Sequence, residues 1–332
     1  MYKTIASVLI LSILSHGCWA QAAAPQSTTS LPGKHIFPIR NGLPVAARAA
    51  VSSTAIPVDN GIQYHGGLIM DDANGVNVYY IWYGSWTKAA KYVLVNLARN
   101  IGGTSYFNIN TTYHSFELGP NGNNLVKDPV INAVHYMGST DAAYSQGNNL
   151  TDIKVYQVVA DAITSGALPV DADGVYFLLS SADVTYVNAD GSGFCQTLCA
   201  DHSSTAARGL PAVNGVDIKF GFAGNPVTQC ARACSPNAVG SFSGVPGADA
   251  VANMVAHELE EAVTDPDLTS WYDIDGYENA DLCAWLFGRV DHSGSATDPN
   301  PPDMVLNGIP YVIQRNWVNA KGGYCAMKWD DQ

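Results

Sequence analysis

Beyond its first twenty residues the 332-residue chain contains no apolar run approaching the roughly twenty residues that a membrane-spanning helix requires, so no membrane span is expected. Basic residues are scarce, 16 Lys and Arg against 29 Asp and Glu, and the net charge of -13 repels polyanions. That excludes nucleic acid and anionic membrane surfaces as favoured partners and leaves an extracellular protein or cell-wall carbohydrate. The chain has no glycine-rich phosphate loop and no internal repeat.

An early Lys3, the apolar run over residues 5–14 and the small residue Ala20 before Gln21 predict a signal peptide over residues 1–20. The mature chain is then secreted, to the extracellular space or cell wall. Removal of Cys18 leaves Cys195, Cys199, Cys230, Cys234, Cys283 and Cys325. An even number in an oxidising compartment predicts disulfides and leaves no thiolate for nucleophilic catalysis. The layout is two short C-x-x-x-C units close together and a long-range link from Cys283 to Cys325; a four-cysteine zinc site built from the short units is the rival reading. Residues 21–60, rich in Ala, Ser, Thr and Pro without periodicity, read as a flexible leader. Residues 61–332 read as a single extracellular domain whose closing part, 266–332, is loop-rich.

The β-branched and aromatic run Val76–Tyr83 ends at Gly84, and residues 88–101 then carry apolar side chains at helical spacing, predicting a strand followed by a helix. A helix is expected over 151–165, with Val155, Val158, Val159 and Ile163 on one side, and strands over 105–114, 175–179, 218–222 and 309–314. This interleaving predicts an α/β fold, a mixed sheet with flanking helices and room for a zincin-like arrangement, plus a loop-rich, disulfide-tied C-terminal region.

Several short motifs occur in order: Tyr64-His65-x-Gly67, Ile81-Trp82-Tyr83-Gly84, Tyr144-Ser145-x-Gly147-x-x-Leu150-Thr151, Phe194-Cys195-x-x-x-Cys199-x-x-His202 and Gln229-Cys230-x-x-x-Cys234. Together they resemble the Exordium-like, or phosphate-induced, family of secreted proteins over roughly residues 60–240. The resemblance implies export to the wall or extracellular space and, for plant members, a role in promoting growth. The segment His257-Glu258-Leu259-Glu260-Glu261-Ala262-Val263-Thr264-Asp265-Pro266 departs from the plant pattern. With Trp271-Tyr272-Asp273 and Glu278-Asn279-x-Asp281-x-Cys283, it resembles secreted microbial proteins that carry a zincin-like H-E-x-x-(H/E) helix.

Zinc helices of this kind place two ligands at i and i+4 on one face, with the glutamate between them as general base. Here those positions are His257 and Glu261, with Glu258 between. At about 100° per residue, Val251, Met254, Val255, Leu259, Ala262 and Val263 form an apolar arc that includes Glu258, opposite Asn253, His257, Glu260 and Thr264. An ionised Glu258 among apolar neighbours requires a cation or a donor network, or else a proton. For a third ligand, the metzincin offset from Glu261 lands on Asp267, and Pro266 ends the helix so that Asp265 is equally placed. Glu278, Asp281 and His292 are further candidates. The bland alternative is a polar helix face with Glu258 paired to Arg232 or Arg315.

Asp273, Asp275, Glu278 and Asp281 cluster oxygen donors of the kind calcium prefers, though not at EF-hand spacing, and Trp82, Trp86, Trp271, Trp285 and Trp317 could line a sugar-stacking groove. The expected centre is zinc held by His257, Glu261 and Asp265 or Asp267, with Glu258 as base, in a metal-dependent peptidase. The alternative is a non-catalytic wall or matrix protein that binds carbohydrate or protein.

Overall fold

The computed structural model describes residues 36–39, 60–118, 120–121, 124–236, 241–290, 296–298 and 303–330. The expected signal peptide, most of the leader and His292 lie outside them. Among the described residues, the main sheet is built from Ile36–Pro38 (β1), Val76–Tyr83 (β2), Val134–Ala143 (β3), Gly174–Ser180 (β4), Leu198–Ser204 (β5) and Lys219–Gly224 (β6). Their order across the sheet is β1-β5-β6-β4-β2-β3. The four strands β6, β4, β2 and β3 run parallel, whereas β5 at one edge pairs antiparallel with β6, and β1 pairs antiparallel with β5. The sheet is thus mixed, as the interleaved pattern predicts.

Strand β2 is buried on both faces, which explains its largely apolar run, broken only by the half-buried Asn77. Val78, Tyr80 and Trp82 pack into one core cluster, and Tyr79, Ile81 and Tyr83 into a second on the other side. Helix α1 (Lys88–Asn100) and helix α3 (Pro246–Thr264) fill the first cluster; helix α2 (Asp152–Thr164) fills the second. The predicted helices over 88–101 and 151–165 correspond to α1 and α2. Each starts at a threonine cap: Thr87 Oγ1 accepts from Ala90 N at 3.1 Å, and Thr151 Oγ1 from Lys154 N at 3.3 Å. Thr87→Ala is expected to lower stability by about 1 kcal/mol in urea denaturation; an unchanged midpoint would mean that the cap contributes nothing.

Two of the family-like motifs are explained by packing. Tyr83 clamps the loop before α2, its hydroxyl donating to Gly147 O at 2.7 Å and accepting from Gln146 N at 2.8 Å. At Gly67 a Cβ would come within 2.3 Å of Thr269 Oγ1, so only glycine lets the two chains approach.

Residues 107–112 form a 3-10 helix, Phe107–Thr112, where a strand is expected. Thr104 Oγ1 accepts from Phe107 N at 3.1 Å, and the Asn- and Thr-rich run bonds locally to its own backbone, competing with a ladder. Among the described residues, Ile309–Tyr311 pairs with Met304–Leu306 in a short hairpin and joins no larger sheet. The five tryptophans offered as a sugar platform belong to the core and its margin: Trp82 and Trp271 are buried, and the ring N–H groups of Trp86, Trp285 and Trp317 donate to the carbonyls of Leu179, Pro38 and Asn60.

The two C-x-x-x-C units are stitched to each other, Cys195 to Cys230 and Cys199 to Cys234, and Cys283 bonds Cys325. The first two bonds fasten the start of β5 to the helical turn Ala231–Cys234, and their sulfurs are not thiolate ligands for zinc.

Helix α3 differs most from the reading of its faces. Every residue from Gly247 to Thr264 is buried, including the supposed polar face. The apolar arc meets the sheet and α1, and the closing segments cover the rest with polar partners. Asn253 Oδ1 accepts from Gln314 N at 2.8 Å, Asn316 donates to Glu260, and Asn279 Nδ2 donates to Glu260 O at 3.1 Å.

Candidate metal centre

His257 and Glu261 stand one helical turn apart, and His257 Nε2 lies 3.0 Å from Glu261 Oε1. Asp281 opens the 3-10 turn Asp281–Cys283, which is docked on the helix by its own N–H, donating to Glu261 Oε1 at 3.0 Å. Its Oδ1 reaches within 3.6 Å of His257 Nε2. One ligand atom from each of the three lies within 4.8 Å of the others. Atoms that bind one tetrahedral zinc at about 2.1 Å sit about 3.4 Å apart, so separations of 3.0 and 3.6 Å suit a shared cation.

A second trio, His202, Glu258 and Glu261, also lies within 4.8 Å. His202 stands on β5 and faces the helix across the core; its Nε2 is 3.7 Å from Glu261 Oε2 and 3.2 Å from Glu278 Oε2. Glu261 belongs to both trios. His257, Glu258 and Glu261 are 0 % exposed and Asp281 only 5 %, so the centre is closed to solvent.

That burial dominates the electrostatics. It pushes Glu258 well above the usual carboxylate range; His257 opposes the shift, while Glu261, Asp201 and Asp281 add to it. Glu278 is driven up by burial and then by Glu261, Asp265 and Asp281. Asp281 is pushed up to about 8 by burial and Glu261, against the pull of His257. Burial alone would lower His257, but Glu261 and Asp281 outweigh it and hold the imidazole well above its ordinary value. Among the described residues, both oxygens of Glu258, both of Asp281 and Oε2 of Glu261 have no hydrogen-bond partner. Arg232 is exposed, and Arg315 donates to the carbonyls of Phe287 and Gly288, so neither arginine neutralises Glu258.

The imidazole of His257 is fixed on both sides. Phe37 of β1 stacks on it at 4.3 Å, and Gln314 Nε2 lies 2.8 Å from Nδ1 while also donating to Ala280 O at 2.8 Å. With this amide orientation Nδ1 accepts and Nε2 carries the proton. Ligation through Nε2, like formation of an imidazolium, puts a proton on Nδ1, which the Gln314 amide can accept only after turning over.

Asp265 and Asp267 do not complete this shell. Asp265 Oδ1 accepts from Thr269 N and Ser270 N, both at 2.6 Å, and so closes the turn after the helix. Asp267 lies beside Ser204 and Asp217, and among the described residues Asp265 Oδ2 and Asp267 Oδ1 have no hydrogen-bond partner. The helix ends at Thr264, and the chain returns 20 residues beyond Glu261, where Asp281 joins His257 and Glu261. The four proposed calcium ligands are also divided. Asp273 Oδ1 caps a turn, accepting from Asp275 N at 2.8 Å and Tyr277 N at 2.9 Å, whereas Glu278 and Asp281 point into the core. His202 was absent from the expected ligand set. Its signal was an Asp201-His202-Ser203-Ser204 run inside a strand that is buried throughout.

Residues 62–298 match the family model described as the phosphate-induced protein 1 conserved region. The chain belongs to this family. It is 27 % identical over 298 residues to protein EXORDIUM-like 3 of Arabidopsis thaliana, covering 80 % of this chain and 82 % of that protein. It is likewise 27 % identical over 258 residues to EXORDIUM-like 5 of the same plant, covering 70 % of this chain and 66 % of that protein. No solved structure matches the chain. The family region extends past residue 240, where the motif resemblance ends, and takes in α3, Glu278 and Asp281.

Proposed function

We propose that this Exordium-like protein acts outside the cell, as a wall or matrix component that binds protein or carbohydrate, and that a divalent cation held by His257, Glu261 and Asp281 clasps its core. The observation that carries the cation is the convergence of these three side chains from a helix and a separate loop, with both Asp281 oxygens lacking a hydrogen-bond partner among the described residues. Family membership and three disulfides support the extracellular setting. One imidazole with two carboxylates favours zinc over calcium, which prefers an all-oxygen shell. Full burial favours a structural role, because catalytic zinc keeps one position open. Elemental analysis of the purified protein is expected to find stoichiometric zinc that is lost in Asp281→Asn. A fully stable protein without metal would sink this reading.

Glu258 favours a second reading. Its carboxylate is unpartnered among the described residues, is fully buried and follows His257 directly in the chain. A cation held by His257, Glu261 and Asp281 would supply Lewis acidity, and Glu258 would act as base toward a water admitted to the site. Peptide hydrolysis by zinc-loaded protein, abolished in Glu258→Gln with zinc retained, is the expected result under this reading; absence of hydrolysis in the loaded wild type would remove it.

A further inference from the structure

We infer that the centre holds two divalent cations bridged by the carboxylate of Glu261, the second bound by His202 and Glu258. This rests on the cation proposed above. Glu261 presents Oε1 to His257 and Oε2 to His202, at 3.0 and 3.7 Å, so its two oxygens face two different imidazoles. The ligand atoms of His202, Glu258 and Glu261 lie within 4.8 Å of one another, as do those of the first trio.

Charge makes the same case. Glu258, Glu261, Glu278 and Asp281 are four buried carboxylates; among the described residues the two imidazoles pair with Glu261, Glu278 and Asp281 within ion-pair distance, and neither pairs with Glu258. One cation with neutral His257 balances Glu261 and Asp281. Glu278 then faces His202 at 3.2 Å. Glu258 is left in a dry core with two bare oxygens, which a folded protein avoids unless a cation or proton meets it. A second cation with neutral His202 balances Glu258 and Glu278 together and brings the four carboxylates to neutrality. It also assigns Glu258 a role consistent with its burial, since a base needs water and a ligand needs only the metal.

The architecture follows from this arrangement. The first cation joins α3 to the turn at Asp281; the second joins α3 to β5 of the sheet, so the pair fastens three layers through one glutamate.

The full-length secreted chain, stripped with chelator and reloaded with zinc, is expected to bind two equivalents by elemental analysis, falling to one in His202→Ala and in Glu258→Gln. One equivalent in the wild type, unchanged in Glu258→Gln, would overturn the second cation and leave the first intact; none would overturn both. If the variants do not fold, wild-type protein loaded with manganese gives the decision. An exchange-coupled electron paramagnetic resonance signal is expected, and only the isolated-ion spectrum at saturation would refute the bridge.

Discussion

Chelation is expected to lower the melting temperature of the purified protein by roughly 10 °C at neutral pH and by little near pH 4. A cation present at about a thousand times its Kd adds about 4 kcal/mol, and about 1 kcal/mol moves the melting temperature of a domain of this size by roughly 2–4 °C. The pH dependence comes from the carboxyls. In the metal-free fold, burial holds Glu258 and Glu278 well above the range where an unfolded chain ionises, and holds Asp281 up at about 8. Between the unfolded and folded values the native state carries more protons than the unfolded one. Metal-free stability is therefore full below about pH 4 and falls as pH rises, by about 1.4 kcal/mol per pH unit for each such group. Cation binding releases those protons and tightens with pH. Melting curves of stripped and loaded protein should thus diverge upward from the carboxylate range. Parallel curves would show that these groups meet no cation.

Three of the six sheet strands were legible in the sequence; Val134–Ala143 and Leu198–Ser204, rich in polar residues, and Ile36–Pro38 inside the expected leader were not. The strands Val76–Tyr83, Gly174–Ser180 and Lys219–Gly224 are covered on both faces, so apolar residues dominate them with few polar interruptions, such as Asn77 and Lys219 near their starts. Helices α1 and α2 each have one covered face, and helical spacing marks it. Helix α3 defeats that logic. Its second face is covered by segments around residues 279 and 314, which have no periodicity and bury Asn253, His257 and Glu260 through hydrogen bonds instead of apolar contact. Hydropathy cannot distinguish such a face from one in water.

The site was half legible for a related reason. His257, Glu258 and Glu261 share one helix, so their relative placement follows from its pitch alone. The other members come from β5 and from the turn beyond Glu278, and their distance in space bears no relation to an offset in the chain. The offset rule therefore chose Asp265, which the local turn already employs, and Asp267, which lies beside Ser204 of the sheet. Phe37 shows the same limit at smaller scale. It lies in a stretch whose composition reads as spacer, yet its ring is fully buried between His257 and Trp285, at 4.3 and 4.6 Å.

Replacing Cys283 and Cys325 together by serine is expected to cost about 4 kcal/mol and, unlike loss of another disulfide, to release the metal. The bond closes a loop of sequence separation 42, and the Cys195–Cys230 bond one of 35. Loop entropy grows only with the logarithm of length, so the two double variants should lose nearly the same stability in urea denaturation. Their metal content should differ. Cys283 ends the turn that carries Asp281, five residues after Glu278, and its partner Cys325 lies in the hairpin strand Tyr324–Ala326, paired with Asn316–Val318, whose Asn316 caps Glu260. Without the bond the turn is held by hydrogen bonds alone, to α3 and from Gln314 to Ala280 O, and the third ligand is free to leave as the segment frays. The Cys195–Cys230 bond lies just before β5 and at the helical turn Ala231–Cys234, on elements that carry none of His257, Glu261 and Asp281. Equal loss of metal from both variants would mean that the centre responds to global stability alone, and that the Cys283–Cys325 bond has no particular hold on Asp281.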